Sequence, residues 1–470
     1  MSELPIYVCG QRVAGVNPVA VRAPFDNELL GSVTQAAPAH AEQAVAGCVR
    51  AAKVLRGWSS AARAGACTAL WWQLSEKKDD FAKTIAAEAG KPLKAAEGEV
   101  QRALMTLKLS AEEATRISGE QLPVDISPTT AGYHAVVERF PVGPCLFITP
   151  FNFPLNLMLH KVGPAIAAGC PFIVKPSDRT PLTALKFAEL LTRSDLPPEA
   201  WSILPCDRTI AAALVADERI KLLSFTGSPQ VGWALKAAAG KKKVVLELGN
   251  ASAVIVEPMG DLDNIAQRIV NGAFGYAGQS CISVQRVFMH ESIADELTQL
   301  LVTKTQALRT GDPLRQYPDV GPVIDAASAD RIMQWISESG GEVLCGNRCD
   351  GNIIAPTIVR HARGDAKLHT EEVFGPVMAL ETYRTLDNAL ERINSTRWGL
   401  QAGIFSKDIF KIRQAFTTLD VGGLVVNDVP TTRIDNMPYG GVKDSGLGRE
   451  GVKYAIQEMT EPRVLLTRYA

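Results

Sequence analysis

Apolar residues recur at three- and four-residue spacing over residues 34–57 and 60–90, which predicts long amphipathic helices. Ser60 is a candidate cap and Gly90-Lys91-Pro92 a stop, with a further helix expected over 92–117. The pattern then changes. Short apolar runs stand at 145–149, 171–175, 201–204, 221–225 and 243–248, separated by helix-like segments at 155–168, 181–191, 209–216 and 229–239. Strand, helix and strand in this rhythm predict an α/β fold with a parallel, doubly wound sheet.

Ligands bind such sheets beyond the carboxyl ends of their strands. Those ends carry Thr149-Pro150-Phe151-Asn152, Lys175-Pro176-Ser177-Asp178, Phe225-Thr226-Gly227-Ser228 and Glu247-Leu248-Gly249-Asn250, which would line one edge. A second α/β unit is expected from Asn250, with helices at 262–274 and 293–308 and strands at 286–289 and 423–427. Two ribbons, 133–140 and 463–467, have no obvious place in either sheet. They suggest an arm that pairs with another subunit.

Composition narrows the function classes. A chain of 470 residues predicts two or three domains, and 46% apolar with 21% charged residues is a globular balance. Forty-nine basic residues against fifty acidic ones give no bulk field for nucleic acid or an anionic membrane. The most apolar stretch, 145–174, is broken by Asn152, Pro154, Asn156, His160, Lys161 and Pro164, so it is no membrane span. Met1-Ser2-Glu3-Leu4-Pro5 shows no signal-peptide pattern. Nine cysteines lie without zinc-type pairing, and Cys345 and Cys349 have no histidine at ligand spacing. No metal is expected, and reduced thiols suggest a cytoplasmic home.

Cys281 follows Gly278-Gln279-Ser280, a turn that would put its sulfur in a cleft rather than a core. A carboxylate among Val244, Val245, Leu246 and Leu248 is costly to bury without purpose, and partial burial would suit Glu247 to general-base work. A thiol nucleophile and such a base can make and hydrolyse a thioester. Asn152 is either a turn residue or an amide aimed at an oxyanion. Gly227 and Ser228 could hold a phosphate where a helix opens.

These motifs together resemble the aldehyde dehydrogenase superfamily over essentially the whole chain. The resemblance rests on Thr149-Pro150-Phe151-Asn152-Phe153-Pro154-Leu155, Lys175-Pro176-Ser177, Phe225-Thr226-Gly227-Ser228, Glu247-Leu248-Gly249 and Gly278-Gln279-Ser280-Cys281, in the family's order and spacing. Glu371-Glu372-Val373-Phe374-Gly375-Pro376 and Pro438-Tyr439-Gly440-Gly441 through Gly446 complete it. It implies a Rossmann-type cofactor domain (1–118 and 142–249), a catalytic domain (250–444) and a small β oligomerisation arm (119–141 and 458–470). A homodimer or homotetramer is implied.

By resemblance, Cys281 attacks the aldehyde, Asn152 and the Cys281 backbone N–H hold the oxyanion, and Glu247 activates the hydrolytic water. Lys161 and Glu450 match positions that pass the proton outward, or they form a structural ion pair. Thr149, Pro150, Phe151, Lys175, Ser177, Gly227, Ser228, Leu248, Glu372 and Phe374 match the cofactor edge. Asp178 stands where NAD-using members carry a glutamate, so NAD is favoured, with NADP possible. In the pocket, His160 and Arg433 replace residues that are often aromatic, and Tyr439 stands where phenylalanine is usual. His160 is expected two turns beyond Asn152 on one helix. Arg433 either faces the pocket, favouring an anionic aldehyde, or faces solvent. The wording is closest to the lactaldehyde, non-phosphorylating glyceraldehyde-3-phosphate and phosphonoacetaldehyde branch. Coenzyme A-acylating members generally lack the glutamate, which argues for hydrolysis. Retention of the whole residue set argues against a non-catalytic structural role.

Overall fold

The computed structural model describes residues 3–315 and 317–469. The five apolar runs form the centre of an eight-stranded sheet. Across it run Gln11–Val13, Ile6–Val8, Trp201–Ile203, Phe172–Lys175, Cys145–Ile148, Leu222–Thr226, Lys243–Glu247 and Gly446–Leu447. The central five are parallel, and the edge pairings are antiparallel. Chain order reverses between Cys145–Ile148 and Leu222–Thr226, so their carboxyl ends flank a topological switch point.

The second sheet has seven strands in the order Glu342–Cys345, Thr357–Arg360, Val377–Tyr383, Arg286–His290, Ala253–Val256, Gln401–Phe405 and Gly423–Val426. All its pairings are parallel except that of Glu342–Cys345. Asn250 joins the two units: its Nδ2 donates to Ser252 Oγ at 2.7 Å and to Gln401 O at 3.2 Å. The two ribbons pair with each other, Thr460–Arg468 against Tyr133–Pro141, and Glu120–Leu122 completes a separate three-stranded sheet. Ala470, the last residue of the expected arm, lies outside the described residues, as do Met1 and Ser2 of the leader reading.

Several boundaries differ from expectation for physical reasons. Thr34 and Gln35 belong to the strand Leu29–Gln35, and the helix starts at Pro38, whose fixed φ suits a first turn. The long second helix is two, Ser60–Glu76 and Lys78–Ala89, broken at Lys77, and Ser59 rather than Ser60 is the cap. The helix after Phe153-Pro154 starts at Asn156, so Asn152 and His160 do not share it. Asn152 lies in the bend ahead of it. All residues of Asn156–Ala168 are buried, which obliges Asn156, His160 and Lys161 to find polar partners. No helix among the described residues is long and apolar enough to cross a membrane.

Candidate active site

The loop that carries Cys281 begins with three consecutive left-handed residues, Tyr276 (φ 52°), Ala277 (φ 52°) and Gly278 (φ 68°). The first two conformations cost about 1–3 kcal/mol each and persist only when neighbours enforce them. Tyr276 Oη donates to Ala89 O at 3.0 Å. Gln279 Oε1 accepts from Ile324 N at 2.8 Å, and its Nε2 donates to Pro322 O at 3.2 Å. A Cβ on Gly278 would lie 2.1 Å from Gly375 O, so only glycine fits there. The loop brings Cys281 Sγ to 3.0 Å from Tyr439 Oη, beside Ile282 and Leu400. Burial pushes the thiol up to about 12.

Asn152 reaches the same loop, its Nδ2 donating to Gln279 O at 3.0 Å. A buried ion pair, Lys91–Glu99, holds the two loops together. Glu99 accepts from Leu155 N (2.9 Å) and Asn156 N (3.1 Å). Lys91 Nζ lies 3.7 Å from the Phe153 ring centroid and 4.4 Å from that of Tyr276. Sequence reasoning took Lys91 only as part of a helix stop and missed Glu99. Glu99 stands among Glu97, Gln101 and Arg102, so its neighbours in sequence carry no sign of burial.

Glu247 ends its strand buried, with neither carboxylate oxygen hydrogen-bonded among the described residues. Burial raises its pKa well above the usual carboxylate range, with Glu450 adding to the rise. Gly440 leaves it room, since a Cβ there would lie 2.9 Å from Glu247 Oε1. Glu450 meets Lys161 Nζ at 2.7 Å, and Lys161 donates onward to Ser224 Oγ at 2.7 Å. A small cleft lined by Lys161, Ser224, Glu450, Glu458 and Met459 opens beside this pair.

Arg433 is buried, not solvent-facing. Its Nη2 donates to Glu450 Oε2 at 3.1 Å, its guanidinium stacks 3.8 Å from the Tyr439 ring centroid, and its Nε has no partner. His160 Nε2 meets Asp435 Oδ1 at 2.9 Å, and Arg102 Nη2 donates to the same oxygen at 2.6 Å. Burial, with the Arg433 charge, lowers His160 to about 4, so its ring is neutral. Arg102 was not singled out by sequence, because only the fold brings its helix to Asp435.

At the switch point, Lys175 Nζ pairs with Asp178 Oδ1 at 2.6 Å. Ser228 caps the helix Pro229–Ala238 with its side chain uncommitted, and buried Thr226 Oγ1 has no partner. Gly227 lies on the Phe225 ring, and Leu248 packs against Phe225 and Trp233. The rings of Phe151 and Phe374 meet edge to face with centroids 5.8 Å apart. Glu372 accepts from Asn250 N at 3.1 Å and rests on Gly249, where a Cβ would clash at 2.4 Å. Burial pushes it up to about 7. Free acceptors, a free hydroxyl and a helix N-terminus on one edge fit a dinucleotide.

The family model for the Aldehyde dehydrogenase family matches residues 13–465. The chain is 42% identical over 397 residues to 3-sulfolactaldehyde dehydrogenase of Priestia aryabhattai, covering 84% of this chain and 83% of that one. Its fold is similar to that of aldehyde dehydrogenase 21 from Physcomitrella patens in complex with the reaction product succinate. The TM-score is 0.98 and the identity 41%, over 99% of this chain and 98% of that one. Glyceraldehyde-3-phosphate dehydrogenase from Methanocaldococcus jannaschii, complexed with NADP, matches with a TM-score of 0.92 and 35% identity. That match covers 96% of this chain and 99% of its counterpart.

Proposed function

The chain belongs to the aldehyde dehydrogenase family, and on that premise we propose that it oxidises a short anionic aldehyde to its acid without acylating coenzyme A. The observation that carries the substrate class is Arg433, a buried guanidinium with an unpartnered Nε–H close to the thiol's hydrogen-bond partner. A guanidinium fork suits carboxylate, sulfonate or phosphate. The relatives named above carry those same groups in their substrates or product.

Cys281 Sγ adds to the aldehyde carbon. Asn152 then turns its amide from Gln279 O toward the developing oxyanion, joined by the Cys281 backbone N–H. A nicotinamide held beside Phe151 and Phe374 would supply the hydride acceptor. A thioester remains on Cys281, and Glu247 takes a proton from the water that cleaves it. Glu247 suits this role because it is buried, uncommitted and raised in pKa. Lys161 and Glu450 carry the proton toward the adjoining cleft. Glu372 and Lys175 would hold the two riboses, and Ser228 with the helix behind it would hold the pyrophosphate. Asp178, paired with Lys175, favours NAD, and NADP is the alternative cofactor.

We also infer that the sheet of Glu120–Leu122, Tyr133–Pro141 and Thr460–Arg468 is an assembly arm joining copies of this chain into a dimer or tetramer. Nine unpaired cysteines suit the cytoplasm.

A panel of short neutral and anionic aldehydes, run with NAD and NADP, tests the reading. Arg433→Met should lower kcat/KM for anionic aldehydes roughly 10- to 100-fold more than for neutral ones, since a charged hydrogen bond contributes about 1.5–3 kcal/mol. An unchanged ratio would sink the anionic assignment. A requirement for coenzyme A, with acyl-CoA as product, would sink the hydrolytic one.

A further inference from the structure

We propose that Tyr439 is a catalytic residue: its phenol O–H is the hydrogen-bond donor that holds the Cys281 thiolate before attack. The inference rests on the reading of Cys281 as nucleophile and adds to it a second side chain in contact with the sulfur.

The geometry is direct. Tyr439 Oη lies 3.0 Å from Cys281 Sγ, and among the described residues it is the sulfur's one hydrogen-bond partner. In the thiol form either group can donate. Once the thiol ionises, its proton goes to solvent, and only the phenol can donate, so the contact becomes charge-assisted. The alternatives are poor: Cys281 sits against Ile282 and Leu400, which offer a thiolate nothing.

Tyr439 is held for this task. Its ring is buried, its backbone exchanges both hydrogen bonds with Glu450 (3.0 and 2.6 Å), and Arg433 stacks on its face. A guanidinium over the ring draws electron density from the phenol and makes its O–H a better donor. The contact matters only while sulfur is anionic. In the thiohemiacetal and thioester the sulfur is bonded to carbon and accepts weakly, so Tyr439 acts at attack and again when hydrolysis expels the Cys281 thiolate.

Tyr439→Phe is the test, because phenylalanine keeps the ring under Arg433 and removes only the hydroxyl. Iodoacetamide labelling of Cys281 is followed across neutral and alkaline pH, with the labelled residue located by mass spectrometry and Cys281→Ser as the blank. The thiolate limb should move to higher pH by about one unit or more, and labelling at neutral pH should slow several-fold. The first turnover with aldehyde should slow. Superimposable pH profiles with Cys281 still the labelled residue would overturn the role of Tyr439 alone. Label on another cysteine, with Cys281→Ser still active, would overturn the nucleophile assignment as well.

Discussion

Glu450 Oε2 lies 3.1 Å from Arg433 Nη2, on the opposite side of the carboxylate from Lys161, which holds Oε1 at 2.7 Å. One buried anion therefore balances two buried cations. Burial alone would raise the pKa of Glu450; the Lys161 and Arg433 charges more than offset it and keep the carboxyl ionised.

Unequal costs follow from this sharing. Glu450→Gln strands both cations, and breaking a buried pair costs about 3–5 kcal/mol. Lys161→Met leaves Glu450 paired with Arg433 and should cost less. Urea denaturation of the two variants orders them: Lys161→Met destabilising as much as Glu450→Gln would show that Arg433 contributes little to holding the carboxylate.

The Lys91–Glu99 pair couples the asparagine loop to the cysteine loop, so its loss should appear in chemistry as well as stability. Glu99→Gln turns its NH₂ either on the buried ammonium or on Leu155 N and Asn156 N, and leaves that side without an acceptor. We expect about 3–5 kcal/mol of destabilisation, with acylation by an activated ester slowed more than alkylation by iodoacetamide. Acylation needs the oxyanion donors in place; alkylation does not. Equal slowing of both would mean that the pair supports the fold without positioning Asn152.

The contrast between these two clusters shows what the sequence could disclose. The strand runs and the residues at their ends were legible because burial on both faces writes continuous apolar runs, and ligand-bearing ends follow them. The helices Pro181–Leu191 and Leu262–Phe274 fall where the periodicity puts them. Glu99 was not legible, because what makes it matter is an encounter with residues 155 and 156, far along the chain. The break at Lys77 carries no proline or glycine to announce it. Asn152 was placed on a helix although Pro154 marks the boundary, an instance where the residue before a proline should have decided. Arg433 could be read as pocket or solvent from its loop; only packing against Tyr439 and Glu450 settles that it is buried.

Cofactor choice should respond to Asp178. Its carboxylate occupies Lys175 at 2.6 Å, and on the proposed cofactor edge its negative charge would repel a 2′-phosphate. Asp178→Ala removes that repulsion and frees the ammonium. We expect kcat/KM with NADP to rise about tenfold relative to that with NAD, the size of one modest charged contact. An unchanged NADP-to-NAD ratio would separate Asp178 from cofactor selection.

Stability should depend on pH through Glu88, a carboxyl outside the candidate site. It is fully buried and accepts from Leu182 N (2.8 Å), Thr183 N (2.9 Å) and the Thr183 hydroxyl. Burial is the dominant effect and raises it from 4.5 to about 7. The folded protein therefore binds this proton more tightly than the unfolded chain does. The stabilisation is fully present below about pH 4.5 and is lost as pH rises through about 7. Glu88→Gln removes the titration at a pH-independent cost of about 1–3 kcal/mol, since its NH₂ faces donors. Denaturant midpoints for both proteins across this window should converge as pH rises. Parallel curves would exclude Glu88 as the source of the slope.

The arm offers the last test. Among the described residues, Thr460–Arg468 pairs on one side only, with Tyr133–Pro141, and its other edge is open in the sheet order. Val464, Leu465 and Leu466 along it are 64%, 67% and 55% exposed. An open strand edge with consecutive exposed aliphatic residues is an aggregation hazard unless another chain covers it. Because side chains alternate across a strand, Val464 and Leu466 share one face and Leu465 takes the other. A second copy packing on one face would bury either the pair or the single leucine. Val464→Lys/Leu466→Lys and Leu465→Lys should therefore differ in effect, one lowering the mass measured by light scattering and the other leaving it nearly unchanged. Both variants should keep the melting behaviour of the two main sheets, which lie outside the arm. A native mass equal to that of one chain, before any substitution, would remove the assembly role from this sheet altogether.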